Sequence, residues 1–219
     1  MGIEIDLLKN YPKAKRDPKA RGKGKTEDDR AIARQFGKEF FDGDRKYGYG
    51  GYRYNSRFWK PVIPSLIKHF SLTDNASILD VGCGKGFLLH DLFEDIPGIT
   101  VKGIDVSNYA IENCIETMKP HLQVADARLL PFPDNSFDVV LSINTLHNLG
   151  LDDFIIAINE IERVGKGKSF ITLDAYHDEK ERIAMEAWNL TALTVMKVNQ
   201  WKKLFMEIGY TGDYYWFIP

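Results

Sequence analysis

Residues Ile78–Gly86 read Ile-Leu-Asp-Val-Gly-Cys-Gly-Lys-Gly, an apolar strand that runs into glycines at every second position, Gly82, Gly84 and Gly86. Glycine lets a backbone turn sharply and lets a ligand approach without meeting a Cβ. A helix expected from about Phe87 would add the free N–H groups of its first turn. Strand, glycine turn and helix together make a pocket of the kind that takes a nucleotide. A dinucleotide fingerprint, G-x-G-x-x-G, would need its third glycine where Phe87 stands. Bulk at that position spoils close helix–strand packing and argues against a nicotinamide-dependent dehydrogenase.

Later apolar runs end in groups with chemistry of their own. Asp105 closes the second, where a carboxylate can accept two hydrogen bonds from a ribose diol. Asp126 and Ala127 follow the third. Ser142 to Asn144 follow the fourth, with His147 just beyond. Asp174, Tyr176 and His177 follow the fifth. His147 has the titration range of a proton acceptor, yet a histidine there also packs in pocket walls. Asp174 and His177 are further candidates for the reacting end of the site. Cys83 and Cys114 make no disulfide framework. Cys83 reads as a small residue that fits the turn, a reducing cytoplasm is the simplest home, and no metal site is expected.

The Asp-x-Gly-x-Gly-x-Gly run resembles motif I of the class I S-adenosylmethionine (SAM) dependent methyltransferases. The likeness continues at Gly103–Ser107, Val124–Ala127 and Pro131–Leu149, so that it covers roughly residues 76–175 in the family's order. It implies SAM as cofactor and S-adenosylhomocysteine as product. By that resemblance Asp80 serves the amino-acid part of SAM. Gly82, Cys83 and Gly84 border its methionine and ribose, and Asp105 with Val106 meets the ribose. Asp126 accepts from the adenine amine, and the Ala127 N–H meets a ring nitrogen. Asn144 passes beside the methionine end. The SAM carboxylate needs a positive or hydroxyl partner, for which Tyr52, Arg53 and Arg57 are candidates.

Asn144-Thr-Leu-His stands where amino-group methyltransferases of nucleic acids and proteins often carry Asn/Asp-Pro-Pro-Tyr, and it resembles the small-molecule enzymes. The resemblance therefore implies methyl transfer to a small molecule, oxygen slightly ahead of nitrogen or carbon. A sugar or nucleotide-linked acceptor would suit the basic N-terminus. Two readings stay open beside it: a protein or RNA methyltransferase docking through that basic segment, and a SAM-binding protein without catalysis.

Positioning these groups requires an alternating α/β chain. Strands are expected at about 77–81, 100–104, 121–124, 137–142 and 168–173, with helices at about 86–95, 107–118, 152–164, 179–190 and 198–208. That order predicts a doubly wound, mostly parallel sheet of Rossmann-like type. Gly209 is a helix stop, and 214–218 reads as a last strand. The resemblance implies two closing strands, one antiparallel, the other short, missing or drawn from 193–198.

Ahead of this unit at 76–219 lies an extension at 27–75. Ile32, Phe36 and Phe40 suggest a helix over 27–41, and 57–70 reads as another. Between them the segment around 42–58 is dense in Tyr, Gly and Arg. It suits either a lid hinged on Gly48, Gly50 and Gly51 or a rigid aromatic wrap.

Residues 1–26 form a basic arm. Lys9 to Lys25 holds eight basic residues and one acid, a net +7 against −9 for the rest of a 219-residue chain of net charge −2. The arm reads either as a solvated tail or as a segment that folds over an anionic substrate. It lacks the interleaved aromatics of a nucleic-acid binder. At 44% hydrophobic and 27% charged residues the composition is that of an ordinary globular chain, with no run of membrane-spanning length. Oligomeric state is left open.

Overall fold

The computed structural model describes residues 2–13 and 17–219; Lys15 and Arg16 of the basic arm lie outside them. In chain order the elements are helices α1 (Pro18–Gly22), α2 (Glu27–Ala33), α3 (Lys38–Asp42) and α4 (Ile63–Phe70), then β1 (Ser77–Val81), α5 (Phe87–Asp95), β2 (Thr100–Asp105), α6 (Asn108–Glu112), β3 (Leu122–Val124) and β4 (Val139–Ile143). They continue with α7 (Leu151–Val164), β5 (Ser169–Tyr176), α8 (Glu179–Trp188), β6 (Met196–Lys197), α9 (Val198–Ile208) and β7 (Asp213–Phe217).

The strands form one sheet in the order β3-β2-β1-β4-β5-β6, with β7 also paired to β5. The expected doubly wound α/β architecture is present. Strand order reverses between β1 and β4, which pair at Ile78↔Val139 through Asp80↔Leu141. A crevice at such a reversal, beyond the carboxyl ends of the strands, is where open α/β sheets take ligands. Apolar burial covers both faces. Trp201, Phe205, Ile158 and Phe154 pack on one, and Leu66, Ile63, Leu89 and Leu92 on the other.

The closing strands depart from expectation. β6 falls inside the 193–198 window, and β7 runs parallel to β5, from Phe170↔Asp213 to Asp174↔Phe217. The reason is the helix between them. α9 starts directly after β6 and carries the chain back across the sheet, so the next strand must rise in the same sense. Gly209, at φ +72°, stops α9 as expected. Beyond β7 the N-terminus supplies the edge: Ile5 N donates to Tyr214 O, and Tyr214 N donates to Ile3 O. This covers backbone groups that would otherwise be an open edge.

Residues 2–13 therefore do not hang free. Leu7 is buried and Tyr11 packs on Phe58 and Trp59. The helix expected over 27–41 is broken into α2 and α3, because Phe36 takes a left-handed φ of +49° just before Gly37. α2 begins on a reciprocal cap between Thr26 and Asp29. The helix expected from 57 begins only at Ile63, with Pro64 in its first turn.

The candidate active site

A cavity of about 1330 Å³ opens over the carboxyl ends of β1, β2, β4 and β5. Its floor is the glycine turn. Gly82, Gly84 and Gly86 all have positive φ, and a Cβ on Gly82 would lie 2.2 Å from the Thr145 side chain. Only glycine fits both constraints there. The turn is tied to the next strand by Asp105, whose carboxylate accepts from Gly84 N (2.8 Å) and Ser107 N (2.9 Å). Ser107 in turn caps α6 through Ala110 N, leaving Asp105 free of that duty.

Asp80 ends β1 and lines the cavity, 4% exposed, and no side-chain hydrogen bond or ion pair reaches it among the described residues. Burial, and secondarily the charge of Asp105, pushes its carboxyl up to about 7. Val106, Ala127 and Cys83 also line the cavity. Burial raises the Cys83 thiol well above its ordinary range, which agrees with a packing residue. Asp126 lines it too, but Arg128 grips its carboxylate through Nε (3.0 Å) and Nη2 (2.6 Å) and reaches Asp153 as well. Asn144 stands at φ +53°, locked by its N–H to Thr172 Oγ1 and by Thr172 Oγ1 to its own Oδ1, both 2.9 Å.

The structure sets the candidates at the reacting end in different surroundings. His147 is 5% exposed and lies outside the cavity wall. Its Nδ1 accepts from the Asp174 N–H at 3.1 Å, so the second ring nitrogen carries the proton of a neutral imidazole. Burial lowers its pKa, and Asp174 opposes this only in part. With one lone pair engaged and none on the other nitrogen, His147 has no site to receive a proton. Asp174 is likewise buried beneath the cavity, 3.6 Å from His147.

His177 does line the cavity, and Glu181 Oε2 holds its Nδ1 at 2.9 Å and its backbone N at 2.6 Å. A carboxylate only accepts, so Nδ1 carries the proton and Nε2 keeps a free lone pair. Tyr52 lies over the turn, stacked on Phe87 at 4.8 Å. Arg57 is not in the wall and sits instead over the Phe58 ring at 4.7 Å; exposed Arg53 is absent from the wall too.

The roof is what sequence reasoning missed at the level of residues. α2 bridges the cleft: Arg30 donates to Asn189 O just past α8 at one side, and Phe36 O accepts from Ser107 at the other. Phe40, Phe41, Tyr49 and Tyr52 form a ring cluster beneath it. Asp42 fastens that cluster to the floor through Lys85 Nζ (2.6 Å), Tyr109 OH (2.7 Å) and Tyr52 N (2.9 Å). Arg21, Arg34 and Arg45 also line the cavity. The clustering of Tyr, Arg and Gly marked this region, but no periodic signal said which residues turn inward.

Comparison with known proteins gives the class. Residues 79–173 match the family described as a methyltransferase domain, in line with the resemblance to the class I SAM-dependent methyltransferases. That match implies SAM as the cofactor. The chain is 37% identical over 89 residues to the arginine-hydroxylase NDUFAF5 of Rattus norvegicus, covering 40% of this chain and 25% of that one. It is 29% identical over 136 residues to the 2-methyl-6-phytyl-1,4-hydroquinone methyltransferase of a Synechocystis strain, covering 60% and 42%. Among solved structures the YcgJ protein of Bacillus subtilis shares the fold at a TM-score of 0.53 and 22% identity, covering 67% of this chain and 66% of that one. The chain thus spans a quarter to about two fifths of the length of these curated relatives. No helix among the described residues is long and apolar enough to cross a membrane.

Proposed function

We propose that this protein transfers a methyl group from SAM to a small-molecule acceptor held under the N-terminal roof. The observation that carries the reading is the roofed cavity itself. Its volume of about 1330 Å³ exceeds what one ligand of ordinary size fills, leaving space for an acceptor beside the cofactor. Its span is closed above by α2 and the aromatic cluster, which favours a small acceptor over a large macromolecular surface.

The residues present fit SAM. A buried carboxylate without a side-chain partner among the described residues, Asp80, complements the α-ammonium at the amino-acid end of SAM. Asp105 spends one lone pair of each oxygen on backbone amides and keeps the others for a ribose diol. A side chain on Gly84 would project toward Tyr52 at 3.4 Å, into the gap a ligand backbone would use. Asp126 meets adenine only by sharing its carboxylate with Arg128, and Ala127 N–H and Val106 border the same end. Asn144 and Tyr52 border the methionine end; Arg57 is withdrawn from that role.

SAM supplies a methyl carbon activated by positive sulfur. The chain's task is alignment, because holding two reactants in line supplies much of such a rate. The S–CH₃ bond breaks as the new bond to the acceptor forms, and the electron pair stays on sulfur. A hydroxyl acceptor must also lose its proton. His177 is the proposed receiver at Nε2, with Glu181 fixing its tautomer and steadying the charge it gains.

Calorimetric titration with SAM and S-adenosylhomocysteine tests the cofactor half. Micromolar binding of both, weakened about 10- to 100-fold in Asp105→Ala, is expected, followed by acceptor screening through product release. Folded protein that binds neither would overturn the reading.

A further inference from the structure

The roof carries guanidinium groups that no carboxylate pairs with among the described residues. Arg21, Arg34 and Arg45 all line the cavity, and none forms an ion pair with a carboxylate among the described residues. The positions outside the description that flank them, residues 14–16, hold no acid. Nε of Arg21 and Nε of Arg34 are each buried without a hydrogen-bond partner. Arg45 turns one nitrogen to Gly48 O (2.6 Å) and Tyr49 O (3.1 Å), which holds it in place without neutralising it. Of the carboxylates near the N-terminal side of the same wall, Glu4 pairs with Lys202 and Asp17 accepts from Ala20 N, and no carboxylate is among the charges that act on Arg21.

The repulsion is felt. Burial, then Arg45, lowers the Arg21 guanidinium, and burial together with Arg21, Arg30 and Arg45 draws Lys25 down to about 8. Gathering like charges under a roof is unfavourable unless a counter-charge arrives.

Arg21 also has a definite place. Arg21 lies over the Trp188 ring at 4.4 Å, and Lys25 Nζ donates to Trp188 O at 3.0 Å. Trp188 ends α8 and packs on Phe217 of β7 at 5.7 Å. Arg21 therefore sits over the β5–β7 side, where His177 lies, while Arg45 is held at Gly48 and Tyr49 beside the ring cluster over the glycine turn. Asp80, Asp105 and Asp126 lie at the carboxyl ends of β1, β2 and β3, on the other side of the sheet order from Arg21.

We propose that Arg21, Arg34 and Arg45 form a recognition site for an oxyanion group, phosphate or carboxylate, carried by the methyl acceptor. The inference rests on the reading that the cleft holds an acceptor, and it names the acceptor's chemical class: an anion, drawn in by fork-shaped donors that match two oxygens at once. The site also gives the basic N-terminus a role in recognising substrate.

The full chain, with and without saturating S-adenosylhomocysteine, is titrated calorimetrically with inorganic pyrophosphate, uridine diphosphate and citrate. At least one is expected to bind, more weakly as salt rises. Arg21→Gln and Arg45→Gln should each weaken that binding about tenfold or more, the scale of one lost charge-assisted contact, while S-adenosylhomocysteine affinity stays within about twofold. Binding of the two phosphates alone identifies a phosphoryl group; binding of citrate alone identifies a carboxylate; either upholds the site. Binding that both variants leave unchanged, or no binding of any anion, overturns it. Failure of S-adenosylhomocysteine to bind is a separate result, which overturns the methyltransferase reading of the cleft and not the cation cluster.

Discussion

Asp80 should make the ligand-free protein less stable than it need be, and Asp80→Asn measures by how much. The carboxyl is buried beside Asp105 with no donor, and its pKa is pushed from 3.8 to about 7, chiefly by burial. A group whose folded-state pKa lies above its unfolded value holds its proton more tightly when folded. Its effect on stability is therefore nil below about pH 4 and grows unfavourable as pH rises toward 7. A shift of about three units is worth about 4 kcal/mol above pH 7, of which about 3 kcal/mol develops between pH 5 and pH 8. Asparagine keeps the shape and loses the charge. In urea unfolding the difference between variant and wild type should move by about 3 kcal/mol in favour of the variant from pH 5 to pH 8. SAM affinity should fall in the variant and lose its rise with pH below 7, since the wild-type carboxylate must ionise to meet a cationic ligand. A stability difference that does not change with pH would refute the desolvation argument. Unchanged SAM affinity would refute the role given to Asp80.

Four further outcomes are expected. Asp105→Ala removes the acceptor for Gly84 N and the proposed ribose acceptor together, so S-adenosylhomocysteine affinity in calorimetry should fall about 10- to 100-fold, the range for charged hydrogen bonds. Gly82→Ala drives a Cβ to 2.2 Å from Thr145 at φ +86°, and thermal unfolding should show a loss of at least about 2 kcal/mol. His177→Gln should lower kcat for a hydroxyl acceptor by about 10²-fold or more with little change in KM for SAM, and Glu181→Gln should do so more mildly. Asp42→Ala unfastens the aromatic wrap from Lys85 and Tyr109, so limited proteolysis within residues 44–57 should become faster than in the wild type.

Where chemistry and backbone geometry demand the same residue, the sequence is readable. Gly82 must be glycine for its φ and for Thr145, and Asp105 must follow β2 to reach the turn, so both stand out in one chain without comparison to any other. The parallel core was equally plain, because strands covered on both faces are apolar from end to end. His147 shows where this stops. Its position after β4 matches a catalytic group and a packed one equally, and only the amide of Asp174, 27 residues on, decides between them. α2 and α3 failed as one helix for a similar reason. The spacing of Ile32, Phe36 and Phe40 is helical, but the hydrogen bond from Ser107 to Phe36 O and the ring contacts of Phe36 with Phe40 are tertiary, and they hold Phe36 in a left-handed turn.

The division of labour across the cleft follows from that contrast. The carboxylates Asp80, Asp105 and Asp126 sit on strand ends, in positions that the sheet itself dictates, and they face a ligand with a cationic end. The guanidinium groups Arg21, Arg34 and Arg45 come from helices and loops laid over the sheet by a few tertiary contacts, Arg30 to Asn189 and Asp42 to Lys85 among them. Strand ends are fixed by the pairing of the sheet, whereas the roof can change in sequence without disturbing the core. On the proposed reading such a cleft holds its cofactor on the sheet and its acceptor under the roof, so substrate specificity is to be sought in residues 17–59, ahead of the segment that matches the family.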